Sequence, residues 1–376
     1  MWAVGSVSGP VIGGSLVEIN WRWILWLNIP LVVAPFAILC IFLRIRRPLV
    51  KQSLVQKLSN LDYVGAILFF VSSTAISLPI TLAGTVAPWI SATILAPLIA
   101  GFLGLVVFIF QQKHLTMAES NTIPLVRLSI FSNHTTLIGY FATFVHGILL
   151  WMVVYYLPLY YEGVLGYSPL RAGIAGFPEA LTIAPAAIIT GLAISCTGTF
   201  VAAIRLGWIF AVGGMGVLCI LSSRTPVYLW ICLNIIPGVA LGVLIPAGGI
   251  AIQAATAPSD AGHAISMFYI VRGFGQTVGV AIGSTIVRYR LANVFTVAAF
   301  GGYGGAGAQA TAEDLLRILR SLKQNGEDDR ELIEGIVSAL RVVWGVGAAL
   351  AGLAAVASFW MEDYSLDRKS EAEGRK

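Results

Sequence analysis

Charge is what this 376-residue chain has least of. Asp, Glu, Lys and Arg together make up 11% of it, against about 25% in soluble globular proteins. Hydrophobic residues make up 57%, and the mean hydropathy is +0.86. That balance excludes a water-soluble domain and predicts an all-α polytopic membrane protein. Phosphate-loop chemistry is missing as well: no Gly-x-x-x-x-Gly-Lys-Ser/Thr string occurs, so the sequence offers no ATP site as an energy source. The four cysteines, Cys40, Cys196, Cys219 and Cys232, show no Cys-x-x-Cys spacing, which argues against a disulfide framework and a thiolate metal site. The four histidines (His114, His134, His146, His263) are not at ligand spacing either. No catalytic constellation, cofactor or metal is expected. The net charge of +5 is no nucleic-acid footprint, because the basic residues gather in loops beside apolar runs. No basic leader precedes the first apolar run, so no cleavable signal is read there.

What the chain does have is apolar runs of spanning length. A bilayer core of about 30 Å takes roughly 20 residues of helix. On that ruler ten spans are expected, at 1–17, 24–43, 62–82, 89–111, 135–160, 170–195, 202–222, 227–252, 262–287 and 337–360. The connection at 44–61 carries Arg44, Arg46, Arg47, Lys51 and Lys57, and the tail at 361–376 carries Arg368, Lys369, Arg375 and Lys376. Positive loops stay inside, so both are expected in the cytoplasm. The Asn133-His134-Thr135 sequon then falls on the cytoplasmic side and is expected to stay unglycosylated. Residues 288–336 form a sizeable segment between spans, expected on the outer side, with an amphipathic helix starting near Thr311 and stopping near Asn325-Gly326.

Glycine spacing gives the sharpest local signal. Gly5, Gly9 and Gly13 recur every fourth residue, forming one helix strip without side chains where another backbone can approach. Pro10 deletes an N–H and crowds the Ser6 carbonyl, which bends that helix. Gly275, Gly279 and Gly283 repeat the same spacing late in the chain.

The full string Gly5-x-x-x-Gly9-Pro10-x-x-Gly13-Gly14, followed by Trp21-Arg22-Trp23, closely resembles the antiporter motif of the major facilitator superfamily, in its fourteen-span drug:proton antiporter branch. Further strings extend the resemblance over nearly the whole chain: Leu61-Asp62-Tyr63, Tyr155 to Tyr161, Gly166-Tyr167-Ser168-Pro169, and Arg272 to Gly283. In that family the motif lies in the fifth span. The resemblance therefore implies a chain lacking the first four spans: 1–43 as a remnant of the N-terminal half, 44–61 as a linker, 62–112 as the extra helix pair, 134–360 as a complete C-terminal six-helix half, and 361–376 as a tail.

Ionisable residues inside apolar spans are costly and face a partner or water. Glu179, His146 and Arg272 lie deep in their runs, on helices that line the central cavity in the family. Glu179 is either a proton-coupling acid or a structural group bonded to Thr182 or nearby backbone. His146 is either a proton relay or a hydrogen-bonded core residue, and Arg272 either a cavity group or the holder of a carboxylate or of helix carbonyls. Substrate contacts are expected from Phe144, Trp151, Tyr155, Tyr156, Gln253 and Gln276. The implied function is proton-coupled efflux of drugs, toxins or hydrophobic metabolites across the plasma membrane or the vacuolar membrane, the partners being lipid, protons and a small amphipathic substrate. The alternative is a non-transporting membrane protein, or a subunit paired with a full-length carrier.

Overall fold

The computed structural model describes residues 2–43, 59–83, 87–118, 122, 124–297 and 330–364. Most of the 44–61 linker, the expected helix after Thr311 and most of the tail lie outside these residues. Eleven α-helices are described: α1 (Trp2–Ile19), α2 (Arg22–Phe42), α3 (Tyr63–Leu82), α4 (Ala92–Met117), α5 (His134–Leu159), α6 (Pro169–Ala175), α7 (Phe177–Thr197), α8 (Val201–Leu218), α9 (Val227–Ala254), α10 (Ala261–Val297) and α11 (Arg330–Ser358). With α6 and α7 taken as one span, nine helices among the described residues are long and apolar enough to cross a membrane, and Val7–Ile19 adds a shorter apolar stretch.

Helix ends follow local chemistry. The Asp62 carboxylate accepts from the Gly65 N–H at 2.8 Å and caps α3. The Asn133 side chain does the same for α5 through the Thr135 N–H at 2.9 Å. Ser168 caps α6, with Pro169 in the first turn, and Gly198 closes α7 at φ +71°, a left-handed position that favours glycine. The expected span 170–195 is interrupted at Gly176. Pro178 lacks an N–H and its ring crowds the carbonyl of Ile174, which accounts for the break. The segment expected at 288–336 is shorter than the hydropathy ruler implies. α10 continues to Val297 past Arg288 and Arg290, and α11 starts at Arg330, because charged helical extensions are invisible to an apolar window.

The core lies between α5 and α7–α11, around fully buried Leu149, Met152, Trp208 and Trp344. Small residues set the closest helix approaches. A Cβ at Gly279 of α10 would stand 2.5 Å from the Ile148 carbonyl oxygen of α5, and one at Gly283 would strike the Tyr156 ring. A Cβ at Gly214 of α8 would meet Pro237 of α9 at 2.8 Å. The α3–α4 pair packs on its own, with Gly101 against Ile76 and Gly104 against Ser72. It joins α5 and α10 through a cluster of Phe108, Tyr140 and Phe268.

A polar node fastens that pair. Asp62 also accepts from Gln111 Nε2 at 2.9 Å and from Gln112 Nε2 at 2.5 Å, while Gln112 Oε1 accepts from the Val126 N–H at 3.0 Å. Next to it, Arg127 pairs with Asp260 at 2.7 Å, and Ser129 donates to the same carboxylate at 2.5 Å. The end of the described chain is held nearby: Asp363 accepts from the Phe200 and Val201 N–H groups at 3.0 and 3.1 Å, capping α8.

Candidate functional site

One cavity of about 570 Å³ opens between α1 and the C-terminal helices. Its walls come from Gly5, Val7 and Pro10 of α1, Leu150, Trp151 and Leu157 of α5, Gly173 of α6, Phe177 and Glu179 of α7, and Tyr269, Arg272 and Gln276 of α10. Tyr161, in the π-helical turn Tyr160–Val164 that follows α5, completes it. Tyr269, Arg272 and Gln276 are spaced i, i+3, i+7, so one face of α10 supplies a polar row to an otherwise largely apolar chamber.

Glu179 stands in the first turn of α7, where the helix dipole presents its positive end. It is 7% exposed, and its Oε1 has no hydrogen-bond partner among the described residues. Thr182 donates to the backbone carbonyls of Pro178 and Glu179, at 2.9 and 2.8 Å, and leaves the carboxyl alone. Arg272 shares the cavity, and its Nε is likewise buried without a partner. Arg127 pairs with Asp260, and neither Glu179 nor Arg272 forms a salt bridge among the described residues. Glu179 and Arg272 are therefore brought to one chamber but not joined.

Other sequence candidates fall elsewhere. His146 lies outside the cavity, in a void of about 10 Å³ beside Trp208 and Phe268, where its Nε2 meets the Leu241 carbonyl at 3.2 Å. The close approach of Gly147 to the Arg272 carbonyl and the Gln276 N–H brings α5 and α10 together there, next to His146. Phe144 turns to the core and offers its carbonyl to the Gly275 position. Tyr155 is half-exposed and stacks on Trp151 at 5.0 Å. Tyr156 is buried, its hydroxyl donating to the Val280 carbonyl at 2.8 Å. Gln253, near the end of α9, donates to the Gly249 carbonyl at 3.2 Å and does not line the cavity.

The antiporter strip has no close neighbour among the described residues. A Cβ at Gly5, Gly9 or Gly13 would meet nothing within 4 Å among the described residues. The neighbouring face makes the contact: a Cβ at Gly14 would stand 2.6 Å from the Pro169 carbonyl, and one at Gly173 would stand 2.6 Å from the Pro10 carbonyl. Glu18 adds a bond from the Leu170 N–H at 3.2 Å. The four-residue glycine spacing is the signal visible in the sequence, whereas the Gly14 contact depends on where α6 lies. Tyr161 and Asn234 escape the sequence reading too, although a lone Asn inside an apolar run is a signal of the same kind as Glu179.

No protein-family profile matches the chain. Individual relatives do. The chain is 35% identical over 375 residues to MFS transporter L2 of Phoma sp., covering 99% of this chain and 61% of that protein. It is 30% identical over 381 residues to the acurin A biosynthesis cluster MFS-type transporter of Aspergillus aculeatus, covering 99% and 67%. It is 29% identical to the efflux pump FUS6 of Gibberella moniliformis, covering 97% and 65%. The chain belongs to the MFS transporters, the major facilitator superfamily, as an integral multi-pass membrane protein. It spans about two thirds of the length of these relatives.

Proposed function

We propose that this chain carries the cavity and the proton-exchanging acid of a secondary active efflux carrier, which moves small hydrophobic or amphipathic molecules, of the drug, toxin or metabolite kind, against a proton gradient. The observation that carries the reading is Glu179: a buried carboxyl with an unpartnered oxygen in the wall of a largely apolar cavity. An ionised carboxyl left alone in such a place is costly, so the group takes a proton, a ligand or water as its partner. Trp151 and Phe177 supply flat apolar surface in the same cavity, and α1 packs against α6 and α7 beside it, an arrangement in keeping with a carrier built from two bundles rocking about a shared site.

The test reconstitutes the chain in proteoliposomes under an imposed pH gradient, with rhodamine 6G as the transported probe. The wild type is expected to build a probe gradient. Glu179→Gln, which keeps the shape and removes titration, is expected to lower accumulation about tenfold while changing equilibrium probe binding much less. Equal gradients in both proteins would make Glu179 structural.

A second reading has its own observation. α2 has no buried residue, and the Gly5–Gly9–Gly13 strip is uncovered among the described residues. This favours a subunit whose α1 and α2 are covered by further helices, which belong to another polypeptide on this reading. Transport by the purified chain alone would remove it.

A further inference from the structure

Glu179 is surrounded by groups that the proposed coupling role leaves unused. Tyr161 is fully buried in the π-helical turn after α5. The wider turn shifts it out of the α-helical register, and its side chain lines the cavity. Its hydroxyl oxygen accepts a hydrogen bond from Asn234 Nδ2 at 2.7 Å. Accepting that bond leaves the phenol proton uncommitted. Asn234 is itself fully buried, and its Oδ1 has no partner among the described residues. α7 and α9 approach closely at Gly238, where a Cβ would stand 2.5 Å from the Glu179 carbonyl oxygen. Asn234 lies one turn from Gly238 on the same face of α9. Tyr161 and Glu179 line the same cavity. The remaining titratable groups of the cavity, Tyr269 and Arg272, come from α10; α1 and α6 contribute none.

We propose that Tyr161 and Asn234 are positioning residues for Glu179, each serving one protonation state of its carboxyl. The inference rests on the reading of Glu179 as a group that exchanges a proton. When Glu179 is protonated, its O–H donates to the idle Asn234 Oδ1. When it is ionised, the proton leaves to water in the cavity, and the carboxylate accepts the Tyr161 O–H. Tyr161 keeps its own proton throughout. The swap satisfies in turn the two buried oxygens that are unpaired in this structure, which removes a cost that each otherwise carries. It also reaches beyond the cavity. The Tyr161 ring stacks on Tyr167 at 6.4 Å and meets Trp230 at 5.3 Å, so its hydroxyl is tied to an aromatic cluster next to the cavity.

The experiment is infrared difference spectroscopy of the full chain in nanodiscs across a pH titration, with Glu179→Gln identifying the Glu179 bands. Asn234→Leu is expected to move the C=O stretch of protonated Glu179 to higher wavenumber, because the carboxylic acid loses its acceptor. Tyr161→Phe is expected to leave that band in place and to shift the carboxylate stretch of the ionised form. A merely structural role would move neither. Tyr161→Phe deletes a single oxygen atom, and its spectrum decides the matter by itself if Asn234→Leu does not fold. Bands that titrate in the wild type but keep their positions in the folded variants overturn this inference and leave the coupling role standing. Absence of any titrating Glu179 band overturns both.

Discussion

Glu179 and Arg272 line the same cavity without forming an ion pair. Severing a buried pair by removing one member costs about 3–5 kcal/mol, and the two single losses then overlap strongly in the double variant. Unjoined groups behave differently. Glu179→Gln and Arg272→Gln are expected to change unfolding free energy additively, with a coupling of about 0.5 kcal/mol or less. Denaturant titration of both single variants and the double variant measures it. A coupling of several kcal/mol would mean that the two side chains are paired in the membrane.

The α1–α6 contact makes a sharp positional contrast. Gly14→Leu places a side chain against the Pro169 carbonyl, whereas Gly9→Leu meets open space among the described residues. Overpacking costs about 1–3 kcal/mol, and a substitution without neighbours stays within about 0.5 kcal/mol. Thermal unfolding in detergent should therefore separate the two variants clearly. Equal loss in both would place the close contact on the Gly5–Gly9–Gly13 strip after all.

Asp62 holds three donors at once, from Gly65, Gln111 and Gln112. Asp62→Ala takes one of two acceptors from the fully buried Gln112 amide, which keeps Gln111 Oε1 at 2.6 Å, removes the acceptor of Gln111 and uncaps α3. A loss of about 1–3 kcal/mol is expected from the carboxylate's hydrogen bonds and the cap that go with it. It should show as faster hydrogen exchange in α3, α4 and 124–127 than in α8. Uniform destabilisation across the chain would contradict a local node.

Orientation is testable in intact cells. With Lys and Arg concentrated in 44–61 and in the tail, both segments are expected in the cytoplasm. Protease added outside should cleave neither, and Asn133 should carry no glycan. Cleavage within 44–61 would invert the topology.

Much of this architecture is legible in the sequence because lipid imposes a simple rule: backbone polar groups must bond within the helix, and the helix must be long and apolar. Each of the ten expected runs contains a helix, and Glu179 stands out as a carboxyl where none is cheap. What composition does not give is direction. Whether the Gly9 or the Gly14 face of α1 meets a neighbour depends on where α6 lies, and His146 and Arg272 look alike until the Gly147 contact separates them. Tyr156 and Tyr161 stand in one aromatic string, yet one packs on the Gly283 position and the other faces the cavity, because five residues of helix turn them about 140° apart.

The node at Asp62 has a consequence for the surrounding lipid. Because Gln112 grips the backbone at Val126, and Arg127 grips Asp260 at the start of α10, α3 and α4 are bolted to the C-terminal bundle and turn wherever it turns. In the rocking proposed for the carrier, the outward-facing side chains of the pair, Phe70, Val71 and Phe102 among them, would form the rim that this bundle moves through the bilayer. Acyl chains along that flank meet α3 and α4 in place of α10. The membrane footprint is broader on that side, so bilayer thickness and lateral pressure act on the bundle through a lever two helices longer than α10 alone would provide.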